Sequence, residues 1–252
     1  SGPVEVPTQG DSAWRAAAVS ASGPWVTTVD HVAFWEDGGP QSLELGGLAG
    51  FIQDLDGDGL AEIVSYANAG DEDAEQLRIR VHEWDDVSSN FAIRWELLAD
   101  SVPGLVGARA RNDVHFAPGN FDGTGALDVA FSGSVDGVHH VFILDGDTGA
   151  LDATLNPSGS SASLSTFRPA DVVGADGLPG TDGIDDILHL TTGRLEVLSQ
   201  GHDVSLLRQD LSLFGSVSAW ADLDGDGADE FFVSVLSTLV PEGQTFTMAS
   251  GA

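Results

Sequence analysis

The chain has 252 residues, 42% of them hydrophobic and 8% aromatic, enough to bury a sizeable core in one large all-β domain or two small ones. Forty acidic residues stand against nine basic ones, all of them Arg, and the net charge of −31 excludes nucleic acid and anionic membrane surfaces as partners while favouring cations. There is no Cys, so disulfides and thiolate metal sites are excluded too.

The first residues, Ser1-Gly2-Pro3-Val4-Glu5-Val6-Pro7, are polar and read as a mature or trimmed terminus. No apolar run is long enough to cross a bilayer as a helix. Residues 25–29 and 31–35 alternate as strands do, with Asp37-Gly38 as a turn. Next comes Asp54-Leu55-Asp56-Gly57-Asp58-Gly59-Leu60-Ala61-Glu62, running into the apolar Ile63-Val64. Residues 71–75 read as a solvated acidic loop, and 77–82 and 91–97 as strands. The loop returns as Asn120-Phe121-Asp122-Gly123-Thr124-Gly125-Ala126-Leu127-Asp128, and residues 129–131 continue it as a strand. Asp136-Gly137 and Asp145-Gly146 punctuate hairpins around the strand 140–144. A third copy ends in Asp182-Gly183-Ile184-Asp185-Asp186, its front half stretched by an insertion at 174–181. The fourth is Asp222-Leu223-Asp224-Gly225-Asp226-Gly227-Ala228-Asp229-Glu230, followed by Phe231-Phe232-Val233.

The closing acids at 62, 128, 186 and 230 recur at steps of 66, 58 and 44 residues, near the length of a propeller blade. A strand-rich chain with a repeat of this size predicts an all-β fold, a single β-propeller domain over 1–252 built of four-stranded blades. Four units carry the loop. The 53 residues before Asp54 predict either a degenerate fifth blade or strands that complete the last one, closing the ring through both termini.

The loops have the chemistry of a hard-cation cage. Calcium takes about six to eight oxygen ligands, and side chains at loop positions 1, 3 and 5 converge only if the chain curls tightly. Gly at positions 4 and 6 permits the curl. Position 7 offers a backbone carbonyl, at Leu60, Ala126 and Ala228, and the acid at position 9 closes the cage. The first loop thus supplies Asp54, Asp56, Asp58 and Glu62, and the fourth Asp222, Asp224, Asp226 and Glu230. Four anions in nine residues repel one another strongly unless a cation sits among them. In the second loop Asn120 and Thr124 replace carboxylates and leave Asp122 and Asp128, which predicts weaker binding. In the third, Asp182 and Asp186 are the clear ligands, with Asp176 assigned to position 1. An EF-hand shares the opening of the motif but needs an acid at position 12 and flanking helices. Here position 12 is Ser65 or Val233, and a β-type run follows.

The pattern D-x-D-G-D-G-x-x-[DE] before an apolar strand resembles the FG-GAP repeat of integrin α-subunit propellers and the related bacterial VCBS repeats. Phe214-Gly215 ahead of Asp222 strengthens the likeness; residues 50–53 and 115–119 hold the equivalent places less faithfully. The resemblance, over roughly residues 46 to 240, implies calcium held between the first two strands of each blade, and a place outside the cytoplasm.

Other residues read more plainly. Asp145-Gly146-Asp147-Thr148-Gly149 is a hairpin turn. His139 and His140, as strand neighbours, point to opposite faces and do not chelate together. Trp95 and Trp220 are core residues. No nucleophile elbow, Cys or Lys is present for covalent catalysis. The expected function is therefore a secreted or cell-surface calcium-binding module, not an enzyme, that presents a protein or glycan ligand with an adhesive or structural surface. The same reading extends to assembly within a larger surface protein or filament. The alternative is a secreted metal-dependent hydrolase or lyase acting on polysaccharide or phosphate esters.

Overall fold

The computed structural model describes residues 19–20, 23–24, 26–27, 31–36, 39–69, 76–85, 87–88, 90–109, 115–157, 166–174, 182–191, 194–199, 208–210, 214–221, 230–236 and 241–246; before residue 43 and after 199 this concerns the backbone alone. A short pair, β1 (Val19–Ser20) and β2 (Gly23–Pro24), precedes a three-stranded sheet of β3 (Val26–Thr27), β4 (His31–Glu36) and β5 (Gly39–Glu44). Three four-stranded sheets follow. The first holds β6 (Leu48–Gln53), β7 (Glu62–Ala69), β8 (Gln76–Asp85) and β9 (Asn90–Leu98). The second holds β10 (Phe116–Gly119), β11 (Asp128–Val135), β12 (Val138–Leu144) and β13 (Leu151–Leu155). The third holds β14 (Thr166–Ala170), β15 (Asp186–Thr191), β16 (Arg194–Leu198) and β17 (Arg208–Asp210). A last sheet contains β18 (Phe214–Ala221), β19 (Glu230–Leu236) and β20 (Pro241–Phe246).

Every pairing is antiparallel and every sheet is a meander in chain order. The first strands lie side by side, β6 against β10, β10 against β14 and β14 against β18. Among the described residues, β3–β5 pair with one another, and β18–β20 likewise. Helix is confined, among the described residues, to one short turn at Ala99–Ser101, and no helix is long and apolar enough to cross a membrane.

Burial explains why the sheets stack face to face. On β11, residues 128–133 are buried without alternation, because both faces are covered. Val129 and Phe131 pack with Val64, Ile79, Val81 and Trp95 of the first sheet. Ala130 faces the other way and joins Val141, Ile143, Ile187 and Leu198 at the boundary with the third sheet. An aromatic contact bridges the first boundary, with Tyr66 and Phe116 centroids 4.8 Å apart, and the cross-strand pair Phe131 and Phe142, 5.1 Å apart, lies within the second sheet. Trp95 is core, as its pattern predicts, and its indole Nε1 donates to Gly146 O at 2.8 Å, tying the second sheet's hairpin to the first sheet. That hairpin is the expected turn: Asp145 Oδ1 accepts from Thr148 N and Oγ1, both at 2.7 Å.

Two register shifts matter for the site. Val81 pairs with Trp95 and His82 with Ile93, so Arg94 is the extra residue of a bulge on β9. Ile143 pairs with Ala153 and Leu144 with Leu151, which leaves Asp152 as the extra residue at the corresponding place on β13.

Candidate metal centres

All four repeated loops join the first strand of a sheet to its second. They run from β6 to β7, β10 to β11, β14 to β15 and β18 to β19. The acid at position 9 opens the second strand each time, as Glu62, Asp128, Asp186 and Glu230. Residues 222–229, with Asp222, Asp224, Asp226 and Ala228, lie outside the described residues, as does the side chain of Glu230.

In the first loop Asp54 organises the curl. Its Oδ1 accepts from Gly57 N at 2.7 Å and its Oδ2 from Gly59 N at 3.0 Å. Both glycines are left-handed, with φ of 79° and 92°, so Ala there would be strained although the space around each is open. Asp56 Oδ1 accepts from Asp58 N and Asp58 Oδ1 from Leu60 N. Asp54, Asp56 and Asp58 each bring one carboxylate oxygen to within 4.8 Å of the others. Oxygens about 2.3–2.6 Å from one calcium ion lie within roughly 5 Å of each other. Glu62 is fully buried; its Oε2 accepts from Leu55 N at 2.7 Å, while Oε1 has no hydrogen-bond partner. Burial, then the charges of Asp56 and Asp58, push Glu62 up to about 7 against the pull of the Leu55 N–H and Arg94.

The second loop repeats this scaffold with fewer charges. Asn120 Oδ1 accepts from Gly125 N at 3.0 Å, Asp122 Oδ1 from Thr124 N at 2.8 Å and Asp128 Oδ2 from Phe121 N at 3.0 Å. Ala126 follows that curl as Leu60 follows the first. Burial and then Asp122 push Asp128 up to about 6. The bulge residue Asp152 adds a carboxylate that no reading of the loop alone supplies: Asp122, Asp128 and Asp152 group within 4.8 Å. In the first sheet the same bulge position is Arg94, whose Nη1 donates to Asp56 Oδ2 at 2.8 Å and whose Nη2 pairs with Asp147 at 2.5 Å.

The third loop brings in a residue that the sequence reading did not include. Asp171 Oδ1 accepts from Asp182 N at 3.1 Å and Oδ2 from Gly183 N at 2.8 Å, the role Asp54 plays toward Gly57 and Gly59. Asp171 thus takes the place in the curl that Asp54 has in the first loop; Asp176, assigned to position 1 from the sequence, lies outside the described residues. Asp182 Oδ1 accepts from Ile184 N, and Asp186 Oδ2 from Val172 N and Val173 N. Burial pushes Asp186 up to about 7, against hydrogen bonds from Ser199, Val172 and Val173. Like Asp54 and Asn120, Asp171 directly follows the first strand of its sheet. That was the available signal, obscured by the insertion between positions 2 and 5.

The loops also touch along one rim. Leu127 N donates to Leu55 O at 2.7 Å, Asp185 N to Asn120 O at 2.8 Å and Asn120 N to Asp185 Oδ2 at 2.7 Å. Asn120 Nδ2 donates to Gly183 O at 2.8 Å, which gives this departure from Asp a structural use.

The donors are hard oxygens in a tight curl, and a fully buried carboxylate with an unpartnered oxygen lies beside them in the first loop. This set fits calcium and does not suit a soft ion. Glu62, Asp128 and Asp186 are all held more protonated than a free carboxylate, a strain that a cation would relieve.

No family model matches the chain, and no curated protein does. Among solved structures, the chain is similar to the Dos1 propeller at 11% identity and a TM-score of 0.51, covering 95% of this chain and 59% of that one. It is also similar to the C-terminal domain of PilY1 from Pseudomonas aeruginosa at 13% identity and a TM-score of 0.48, covering 86% of this chain and 53% of that one. The chain thus spans a little over half the length of each. The likeness to the first is one of fold: successive antiparallel sheets set out as in a propeller.

Proposed function

We propose that the chain is a calcium-binding propeller of the FG-GAP or VCBS kind, working outside the cytoplasm as a non-enzymatic binding, adhesion or structural scaffold. One observation carries the reading: the same curl, with the same hydrogen bonds, recurs between the first and second strands of three successive sheets. Calcium would bind through Asp54, Asp56, Asp58 and Glu62 in the first loop and through Asp122, Asp128 and Asp152 in the second. Asp171, Asp182 and Asp186 would serve in the third. Ions there would hold the rim rigid, so that the surface around it meets a protein or glycan with little ordering cost. The net charge of −31 is consistent with an extracellular surface that repels anions and gathers divalent cations.

The test is to present the chain to a glycan array and to a panel of immobilised cell-surface proteins, with calcium and with chelator. A signal that needs calcium and is lost in Asp54→Asn supports the scaffold reading. Silence on both surfaces with calcium present contradicts the ligand-binding role.

A further inference from the structure

The second and third loops share a residue. Asn120 directly follows β10, and its side-chain amide works in both loops at once. Its Oδ1 accepts from Gly125 N at 3.0 Å, which closes the curl of its own loop. Its Nδ2 donates to Gly183 O at 2.8 Å, in the turn of the next loop. The amide group is planar, so holding Nδ2 on one loop also sets the direction of Oδ1 in the other. Turning the amide over would set oxygen against oxygen and N–H against N–H, and both bonds would be lost. Asp54, at the same place in the first loop, uses both oxygens on its own curl, toward Gly57 and Gly59. A carboxylate has no hydrogen to offer a neighbouring loop.

The turn that Asn120 grips is the part of the third loop that the acids of that loop arrange. Asp171 Oδ2 accepts from Gly183 N at 2.8 Å, and Asp182 Oδ1 accepts from Ile184 N at 3.0 Å. Ile184 leans in turn on the second loop, where a Cβ at Gly123 would come within 3.1 Å of Ile184 Cγ1. Two further bonds tie the same pair of loops. Asp185 N donates to Asn120 O at 2.8 Å, and Asn120 N to Asp185 Oδ2 at 2.7 Å.

Two divalent ions in neighbouring loops repel each other, so electrostatics alone makes the second harder to bind than the first. The shared contacts work in the opposite direction: once one loop is ordered, the residues that both loops need are already in place. We propose that Asn120 couples the second and third loops, so that calcium in either one raises the affinity of the other. The coupling rests on the calcium reading of these loops. The amide at 120 leaves the second loop one carboxylate short and in exchange links it to its neighbour.

The test follows the amides of Gly125 and Gly183 by NMR in one calcium titration of the full chain. The two should titrate together, on a curve steeper than single-site binding, with a coupling of about 5–150-fold. Asn120→Asp restores the carboxylate of the repeated motif, removes the donor and turns an oxygen toward Gly183 O. In that variant the two amides should titrate apart, each on a single-site curve. Thr124→Asp adds the same charge to the same loop and leaves the Asn120 amide intact, so it should tighten the second loop and keep the coupling. Independent single-site curves in the wild type, coupling that survives Asn120→Asp, or coupling lost equally in both variants would overturn the proposal and leave the calcium reading standing. No calcium-dependent shift at either amide would overturn both. If a variant fails to fold, the wild-type titration still decides.

Discussion

Buried titratable side chains set the pH behaviour of single residues. His82 on β8 is almost wholly buried, with its Nε2 3.1 Å from Ser65 Oγ. Burial, then the nearby Arg80, lowers it to about 4 from 6.5. Its folded-state affinity for protons lies below that of the unfolded chain, so the unfolded state gains a proton as pH falls through 6.5 and the folded state does not until about 4. Stability from the neutral ring is complete above 6.5 and is lost across that window. Glu62 has the opposite sign: raised to about 7, it favours the calcium-free folded state as pH falls from 7 toward 4.5. The difference between wild type and His82→Gln isolates the histidine. Between pH 6.5 and 5, wild type should lose about 2 kcal/mol more than the variant in denaturant melts. Equal losses would mean that His82 titrates normally in the folded chain.

At the scale of the element, the loop and the bulge on the outermost strand act as one unit. The first loop has four acids and meets a cation at the bulge, Arg94; the second has two and meets an anion, Asp152. The bulge residue thus offsets the loop's own charge. Arg94→Gln should tighten calcium at the first loop by about two- to fivefold, the worth of a partly exposed ion pair. Asp152→Asn should weaken the second loop by at least that much. Calcium titrations followed on the amides of Gly59 and Gly125 would read the two sites separately. Shifts of both variants in the same direction would contradict the charge-offset account. The loops themselves were legible because Asp, Gly and an apolar strand start are fixed by local geometry. Asp152, Arg94 and Asp171 were not: two depend on a strand register far along the chain, and the third on seeing across an insertion. The contact of His139 Nε2 with His189 Nε2 at 3.3 Å, from β12 to β15, depends on which sheets become neighbours, information that no local pattern carries.

At the scale of the whole molecule, the repeat predicts the architecture because each meander can bury both faces only against its neighbours. The unalternating burial of 128–133 on β11 expresses that requirement. Repeat spacing foretold the four-stranded sheets and the joints that bear the loops, because each repeat is one meander with its loop at the same turn. With the loops strung along one rim and bonded to each other, ions there should stabilise the assembly as a whole and not single turns. The most direct measurement is a thermal melt in saturating calcium and then in chelator, with bound calcium counted by mass spectrometry. At a hundredfold excess over Kd each occupied site adds about 2.7 kcal/mol, so removing about two to four ions per chain should lower the melting temperature markedly. An unchanged melting temperature with no calcium bound would contradict the account, and the acidic loops would then be solvated turns.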